Sequence, residues 1–196
     1  MDTVATAASD PAQAHTRLVE ELRSHALVIG AVTLTSGARA EYYVDAKRAI
    51  LRPAGFAALG VLLAAQVSEW NGTAVGGLTM GADPVACAAL AGGARAKAFF
   101  VRKESKAHGL QRRIEGPLLD PEDRCVVVED VVTTGSSTLA AIEALNEAGQ
   151  QICGVISVLD RLAGGGAAIE QAAGAPYVPL TTIDDIYPDR PDRRAG

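Results

Sequence analysis

Two stretches of the sequence gather residue types that can do chemistry. The first, "VVVEDVVTTGSST" over residues 126–138, places two adjacent carboxylates, Glu129 and Asp130, at the end of an apolar run. Hydroxyl residues and Gly135 follow, and then a segment with helical spacing. A glycine lets backbone amides approach a ligand closely, and a helix N-terminus attracts anions. The stretch therefore predicts a loop that holds a phosphate by its amides and a sugar diol by its carboxylates.

An ordinary capped helix is the alternative interpretation of the same stretch. Ser136 or Ser137 would then be the N-cap, and Glu129 and Asp130 would be solvated turn residues. Two other nucleotide-binding loops are excluded. No Gly-Lys-Ser/Thr sequence follows the glycine, and no strand leads into a GxGxxG pattern, so a nicotinamide cofactor is not expected.

The second stretch, "FFVRKESKAHG" over residues 99–109, ends an apolar run in a cluster of cations. Arg102, Lys103, Lys106 and His108 lie close together, although the whole chain has a formal net charge of -5. A local basic cluster on an acidic protein indicates a site for a small anionic ligand and argues against nucleic acid as a partner. The cluster is followed by two further arginines that either extend it or are surface charge, Arg112 and Arg113.

Length and composition predict one soluble α/β domain. The chain has 196 residues, of which 48% are hydrophobic and 21% charged. We expect a disordered tail over residues 1–12 and a single domain over residues 13–196. No apolar run reaches the roughly 18 residues that a membrane span needs. The N-terminus lacks the pattern of a secretory signal, so we expect a cytoplasmic protein without membrane contact.

The cysteines and histidines do not indicate a metal site. Cys87, Cys125 and Cys153 are widely spaced in apolar surroundings, so we expect three reduced thiols in the core. No Cys or His pair has the spacing of zinc ligands. His15 and His25 are expected on the surface of a first helix.

The order of strands and helices predicts how these residues are positioned. Runs such as "CVVV" are continuously apolar, which favours a mostly parallel sheet covered by helices on both faces, in a doubly wound α/β fold. "LVIGAVTL" and "EYYVDAKRAIL" are expected to form two strands near the N-terminus. In open α/β sheets, ligands bind beyond the carboxyl ends of the strands. Four segments that follow strands should therefore meet at one crevice: "MGADP", "RKESKAHG", "EDVVTTGSS" and "DRLAGGG".

These motifs resemble those of a known family. The apolar strand, two acids and Thr-Thr-Gly closely resemble the phosphoribosyl-pyrophosphate (PRPP) motif of type I phosphoribosyltransferases. "RKESKAHG" is similar to the mobile catalytic loop of orotate phosphoribosyltransferases, "TLTSGARAEYYVDAKRA" to their orotate-side segment, and "GGLTMGADPVA" to their pyrophosphate-side loop. "LDR" ends in Arg161, which matches a strand-end arginine that contacts orotate. The resemblance covers roughly residues 32–161, and "HGLQRRIEG" is similar to an actinobacterial branch.

The resemblance implies a fold, a reaction and partners. The fold is that of type I phosphoribosyltransferases, with a small N-terminal hood region. The reaction transfers ribose 5-phosphate from PRPP to N1 of orotate, with Mg²⁺, and yields orotidine 5′-monophosphate and pyrophosphate in de novo pyrimidine (UMP) biosynthesis. The family forms homodimers in which the loop of one subunit reaches the active site of the other, and Lys103 is the residue expected to act there.

Residue roles also follow from the resemblance. Catalysis is assigned to Lys103, Lys106, His108 and Asp130, and orotate binding to Thr133 and Arg161. Mg²⁺ is held mainly by PRPP, and Asp83 either reaches a metal-bound water or caps a helix that begins at Pro84. PRPP binding is assigned to Arg102, Lys103, Lys106, His108, Glu129, Asp130, Val131, Val132, Thr133, Thr134, Gly135, Ser136 and Ser137.

The chain departs from the family pattern at two positions. Thr35 stands where many relatives have a lysine, and Ala40 where relatives often have a serine. Lys47 or Arg48 either compensates for the missing cation or belongs to a solvated strand end. Two other functions remain as alternatives. One is a phosphoribosyltransferase for another base, which the carboxylate-binding Arg161 disfavours, and the other is a non-catalytic PRPP-sensing regulator on the same fold.

Overall fold

The computed structural model describes residues 10–33, 39–103 and 113–194. The helices are α1 (Pro11–His25), α2 (Lys47–Ile50), α3 (Pro53–Glu69), α4 (Ala82–Ala91), α5 (Ser136–Glu147), α6 (Gly165–Ala173) and α7 (Ile183–Ile186), with a final 3₁₀ helix over Pro191–Arg194. The strands are β1 (Leu27–Thr33), β2 (Arg39–Val44), β3 (Ala74–Leu78), β4 (Lys97–Val101), β5 (Ile114–Glu115), β6 (Arg124–Val132), β7 (Gln151–Asp160) and β8 (Tyr177–Thr182).

The main sheet confirms the prediction of a mostly parallel α/β fold. Its strand order is β5-β4-β3-β6-β7-β8, and only the short β5 pairs in the antiparallel sense, with β4. The central strand β6 is apolar on both faces because helices cover both. Val126 and Val128 belong to the core cluster that contains α1, α3 and α4, whereas Val127 packs with α5 and α6 on the other face.

The N-terminal strands form a separate antiparallel pair, β1 and β2. The prediction of one long strand over "EYYVDAKRAIL" was wrong, because β2 ends at Val44 and the chain turns into α2. At this turn the Asp45 carboxylate accepts a hydrogen bond from the Lys47 amide at 3.2 Å. Ala49 and Ile50 are completely buried, so burial of the helix's apolar side favours the turn over a longer strand.

Helix α1 begins earlier than the predicted domain boundary. The Asp10 carboxylate accepts a hydrogen bond from the Ala12 amide at 3.0 Å, and Pro11 is the first helical residue. This is a regular N-cap with proline in the first turn. Residues 11 and 12 therefore belong to α1 rather than to the predicted tail, and residues 1–9 lie outside the described residues.

The prediction of three core cysteines is correct for one and wrong for another. Cys125 on β6 is buried and Cys153 on β7 is partly buried, but Cys87 is exposed. Cys87 lies between the buried Ala86 and Ala88 on α4, and the helical rotation of about 100° per residue places it on the outer face. None of the helices described is long and apolar enough to cross a membrane.

Candidate active site

Glu129 and Asp130 are buried inside β6. Their residues are only 4% and 7% exposed, because β6 continues past them and pairs with β7 as far as Val132 and Asp160. The alternative that they are solvated turn residues is therefore wrong. The alternative of a serine-capped helix is also wrong, since Gly135 is the N-cap of α5 and no side chain caps that helix.

The loop between β6 and α5 encloses a small cavity of about 120 Å³. Gly135 has a φ of 81°, a left-handed conformation that favours glycine, and an added Cβ would lie 3.1 Å from Ile169. The first amides of α5 have no carbonyl partner within the helix, so they are available to an anion. The cavity is lined by Glu129, Val131, Thr133, Thr134, Gly135, Ser136, Ser137 and Thr138.

Val132 differs from the other residues predicted to bind PRPP. Its side chain is 1% exposed and packs in the core with α5 and α6. Its carbonyl accepts a hydrogen bond from the Arg161 amide at 2.9 Å. Both the side chain and the carbonyl of Val132 are therefore used in packing and in the sheet. The same hydrogen bond places Thr133 and Arg161, the two residues assigned to orotate, at neighbouring strand ends.

Lys47 contacts the acid pair directly. Its Nζ lies 2.8 Å from Asp130 Oδ2 and 3.1 Å from Asp45 Oδ1. Burial alone would lower the pKa of Lys47, but the hydrogen bonds to Asp130 and Asp45 outweigh it and raise that pKa. Lys47 thus compensates a carboxylate and is not a free cation for a substrate, whereas Arg48 is exposed. Thr35, for which one of the two was expected to compensate, lies outside the described residues.

Glu129 has a raised pKa. Burial, and then the hydrogen bond and negative charge of Asp130, raise the pKa of Glu129 to about 8. Its Oε1 accepts a hydrogen bond from the Asp130 amide at 3.1 Å, and its Oε2 accepts one from the Thr138 hydroxyl at 3.4 Å. Lys47 pairs with Asp130, and no ion pair to Glu129 is formed among the described residues.

The raised pKa of Glu129 predicts a pH-dependent stability that Glu129→Gln should remove. An acid whose pKa rises on folding binds a proton in the folded state that the unfolded chain has lost. The free energy of unfolding should therefore fall between about pH 4.5, the ordinary value for Glu, and about pH 8. Urea unfolding at pH 5 and pH 9 should show wild type losing stability relative to Glu129→Gln. Equal losses in the two proteins would contradict an elevated pKa.

A second, larger cavity of about 600 Å³ lies at the ends of β3 and β4. Arg102 and Lys103 follow β4 and are exposed, and the Arg102 guanidinium lies 3.5 Å from the Glu115 carboxylate on β5. Lys106, His108 and Arg112 lie outside the described residues. The cavity is lined by Thr79, Met80, Phe100, Arg102, Lys103 and Glu115.

Arg113 points away from this cavity. Its guanidinium lies 3.6 Å from the Glu147 carboxylate and 3.9 Å from that of Glu143, both on α5. It lines a different groove, beside α5. Of the two interpretations left open for Arg113, the structure favours a charge paired with α5 over an extension of the basic cluster.

Asp83 lies in the first turn of α4 and does not cap a helix. The helix begins at Ala82, with Gly81 as its N-cap, so the interpretation of Asp83 as the cap of a helix starting at Pro84 was wrong. Asp83 Oδ2 accepts the Thr79 hydroxyl at 2.7 Å. Its Oδ1 is buried without a hydrogen-bond partner among the residues that the structure describes, and Thr79, which Oδ2 contacts, lines the larger cavity.

Gly81 brings the pyrophosphate-side loop against the acid pair. A Cβ at this position would lie 2.5 Å from Asp130 Oδ1 and 3.0 Å from Glu129 Oε1. Real Cβ atoms do not approach oxygen so closely, so only glycine fits. The sequence did not single out this residue, since the contact joins the ends of two strands far apart in the chain.

Arg161 follows β7 beside the small cavity. Its guanidinium carbon lies 5.0 Å from the ring centroid of Tyr42 on β2, a cation–π contact. Its Nε is buried without a hydrogen-bond partner, and no carboxylate among the described residues pairs with it. Tyr42 was not among the predicted site residues, because an aromatic residue in a strand ordinarily indicates a core position.

The described parts of the four predicted segments lie at one edge of the sheet, with residues 104–109 outside the described residues. They follow β3, β4, β6 and β7, which are parallel neighbours in the order β4-β3-β6-β7. In the part of the chain that the structure describes, a small cavity, a buried acid pair, the Asp83 carboxylate and an arginine without an ion pair therefore lie along the carboxyl ends of adjacent strands. Among described residues, no group of three or more His, Cys, Asp or Glu side chains could hold a metal ion.

Comparison with known proteins assigns the family, although no protein-family model matches the chain. The orotate phosphoribosyltransferase of Corynebacterium glutamicum is 47% identical over 176 residues, which are 89% of this chain and 95% of that protein. That of Streptomyces coelicolor is 48% identical over 173 residues, covering 86% of this chain and 94% of that protein.

Solved structures agree. The Mycobacterium tuberculosis orotate phosphoribosyltransferase in complex with PRPP has a TM-score of 0.75 and 38% identity, over 88% of this chain and 98% of that one. A Trypanosoma brucei adenine phosphoribosyltransferase, at 13% identity and a TM-score of 0.69 over 86% of this chain and 81% of that one, shares the fold. Because 47–48% of the aligned residues are identical to the Corynebacterium and Streptomyces proteins over 86–89% of this chain, the chain belongs to the orotate phosphoribosyltransferase family.

Proposed function

We propose that this chain transfers ribose 5-phosphate from PRPP to N1 of orotate, forming orotidine 5′-monophosphate and pyrophosphate in pyrimidine biosynthesis. One observation carries the proposal. The small anion-sized cavity, the buried acid pair and the unpaired Arg161 lie at the ends of the adjacent strands β6 and β7. The cavity suits a phosphate, the acid pair suits the hydroxyls of a ribose, and Arg161 suits the carboxylate of a base.

The ribose 5-phosphate is assigned to the loop between β6 and α5. Its phosphate accepts hydrogen bonds from the amides at the start of α5 and from hydroxyls such as those of Thr134 and Ser137. Asp130 accepts hydrogen bonds from the ribose hydroxyls, and Lys47 lies 2.8 Å from its carboxylate. The pKa of Glu129 is raised by burial and by Asp130, and a carboxyl group that holds its proton can donate as well as accept. The acid pair is thus suited to a diol, whose hydroxyls both donate and accept hydrogen bonds.

Bond breaking occurs at C1′, where the bond to the pyrophosphate oxygen is lost and the bond to orotate N1 forms. Little covalent work is required of the protein, and its main task is to stabilise the charge that develops on the departing pyrophosphate. We assign this task to Arg102 and Lys103, together with Lys106 and His108 outside the described residues. Arg161 binds the orotate carboxylate through two parallel hydrogen bonds, a geometry suited to guanidinium.

Magnesium fits the residues present. The described carboxylates do not form a protein cage, so PRPP itself is the main ligand in this proposal. Asp83 Oδ1, buried and without a partner among the described residues, is suited to accept a hydrogen bond from a water bound to the ion. When bound, Mg²⁺ neutralises negative charge on the pyrophosphate group.

We also propose a cytoplasmic homodimer with shared active sites. This follows from the resemblance of the residues 102–109 segment to loops that act in the partner subunit. Lys103 is exposed beyond the end of β4 and makes no ion pair among the described residues, so it is available to a neighbouring site.

A direct assay tests the reaction. The protein is mixed with PRPP and Mg²⁺, and the loss of base absorbance is followed separately with orotate, uracil and hypoxanthine. We expect turnover with orotate and little with the other two, because neither carries the carboxylate that Arg161 would bind. Turnover with hypoxanthine but not with orotate would favour a phosphoribosyltransferase for another base. PRPP binding without turnover of any base would favour a PRPP-sensing regulator.

A further inference from the structure

Arg161 contacts a residue of another part of the chain, Tyr42. The Arg161 guanidinium has no ion pair among the described residues, and its carbon lies over the Tyr42 ring, 5.0 Å from the ring centroid. Tyr42 lies on β2, outside the main sheet, and is only 4% exposed. An arginine that donates two hydrogen bonds to a planar carboxylate must hold its guanidinium plane in one orientation. Stacking on an aromatic ring can fix that orientation.

Tyr42 is in turn held by the C-terminal segment. Its hydroxyl donates a hydrogen bond to Asp192 Oδ2 at 2.8 Å. The ring of Tyr187 meets the Tyr42 ring edge to face, with centroids 5.4 Å apart and an interplanar angle of 84°. Two contacts from the C-terminal segment, one polar and one aromatic, therefore hold the Tyr42 ring in place.

The C-terminal segment is itself anchored. Arg190, 8% exposed, pairs with Asp184 and, at 3.1 Å, with Asp192. Thr182 and Asp185 form a capping box at the start of α7, and Ile183 and Ile186 are buried in the core. The segment from α7 to the final 3₁₀ helix is thus held in place by the Arg190 ion pairs, the capping box and the two buried isoleucines.

We propose that Tyr42 is the positioning residue for Arg161, and that Asp192 and Tyr187 of the C-terminal segment hold Tyr42 in place. The selectivity for a carboxylated base then depends on Asp192 and Tyr187 of the C-terminal segment as well as on Arg161. This inference rests on the proposed function, since it takes the carboxylate of orotate as the group that Arg161 binds. It goes beyond that function by assigning a role to the C-terminal segment.

The test compares Tyr42→Phe with Asp192→Ala. Each change removes the hydroxyl contact while leaving Arg161 and the ring stacking surface in the protein. One hydrogen bond is worth about 1 kcal/mol, so each variant should raise KM for orotate roughly three- to tenfold. KM for PRPP should stay within about twofold of wild type, since the phosphate loop is not touched. The double variant should raise KM for orotate by less than the product of the two single effects, because the two changes share the hydrogen bond between Tyr42 and Asp192.

Asp189→Ala is the matched control for Asp192→Ala. Asp189 is an exposed carboxylate three residues before Asp192 in the same C-terminal segment, and the Tyr42 hydroxyl donates to Asp192 instead, so the loss of Asp189 should leave both KM values unchanged. Tyr42→Leu removes the stacking surface as well and should raise KM for orotate further than Tyr42→Phe does. The thermal unfolding midpoint of every variant shows whether it folds. Because the Asp192 side chain is exposed, Asp192→Ala should fold and keeps the test valid if a Tyr42 variant does not.

The outcomes separate this inference from the proposed function. If wild type does not turn over orotate, the proposed function itself fails. If wild type is active but Tyr42→Phe and Asp192→Ala keep the wild-type KM for orotate, the positioning role is wrong. Equal increases in KM for orotate and for PRPP would also overturn it, because they would indicate a general disturbance of the cleft.

Discussion

Lys103→Ala should lower kcat by roughly 100- to 1000-fold, the loss seen when one preorganised donor to a developing anion is removed. Lys103 is exposed at the mouth of the cavity at the ends of β3 and β4, and none of the described carboxylates pairs with it. Its charge is therefore free for the pyrophosphate. Because the charge on the leaving group grows as the C1′ bond breaks, the effect should fall on kcat more than on KM for PRPP.

Arg95→Ala is the control for this variant. Arg95 is also an exposed cation, but it precedes β4 and so lies at the amino end of the strand, away from the cleft. Its removal changes the net charge of the protein by the same amount and should leave kcat unchanged. A Lys103→Ala variant with normal kcat and a raised KM for PRPP would make the basic segment a binding element only.

Mixed subunits test whether Lys103 acts across a dimer. Lys103→Ala and Arg161→Ala should each be nearly inactive alone. In a mixed dimer with shared sites, one site contains both wild-type residues, so random mixing should restore about a quarter of wild-type activity. Native mass spectrometry establishes that mixed dimers have formed. No recovery in confirmed mixed dimers would place Lys103 in the site of its own subunit.

Gly81→Ala should abolish most activity while the protein stays folded. The added methyl group would lie 2.5 Å from Asp130 Oδ1 and 2.9 Å from its carboxyl carbon, so Asp130 must move or the loop before α4 must retreat. Asp130 is also fixed by Lys47, at 2.8 Å. Either movement separates the pyrophosphate side of the cleft from the ribose side. A displacement of about 1 Å can cost 100-fold in rate, and we expect at least that loss in kcat/KM.

Gly93→Ala is the matched glycine control. Gly93 has a φ of 98°, so alanine strains the backbone there, but an added Cβ meets no atom within 4 Å and the residue lies beyond the far end of α4. This variant should lose stability without losing activity. If Gly81→Ala keeps wild-type kcat/KM, the close packing of the loop against the acid pair is not required for the reaction.

The sequence by itself determined the succession of most strands and helices along the chain, the mostly parallel sheet and the segments that form the cleft. Continuous apolar runs such as that of β6 can only lie between two layers of helices, and this fixes a parallel sheet. In a parallel sheet the carboxyl ends share one edge, so the segments after β3, β4, β6 and β7 must meet. Predictions from local patterns were wrong where tertiary packing decides the outcome. Cys87, predicted in the core, is exposed, and α2 replaces the end of a predicted strand.

Only the tertiary structure decided how the groups in the cleft are paired. Lys47 was a candidate for binding a substrate anion, but its nearest carboxylate, Asp130, is 83 positions away in sequence. Tyr42 meets Asp192 over a separation of 150 residues. No local pattern encodes such contacts, because they arise from the packing of β2 and the C-terminal segment against the sheet. The residue types that do the chemistry can be identified from the sequence. Their pKa values and orientations depend on neighbours that are brought together only by folding.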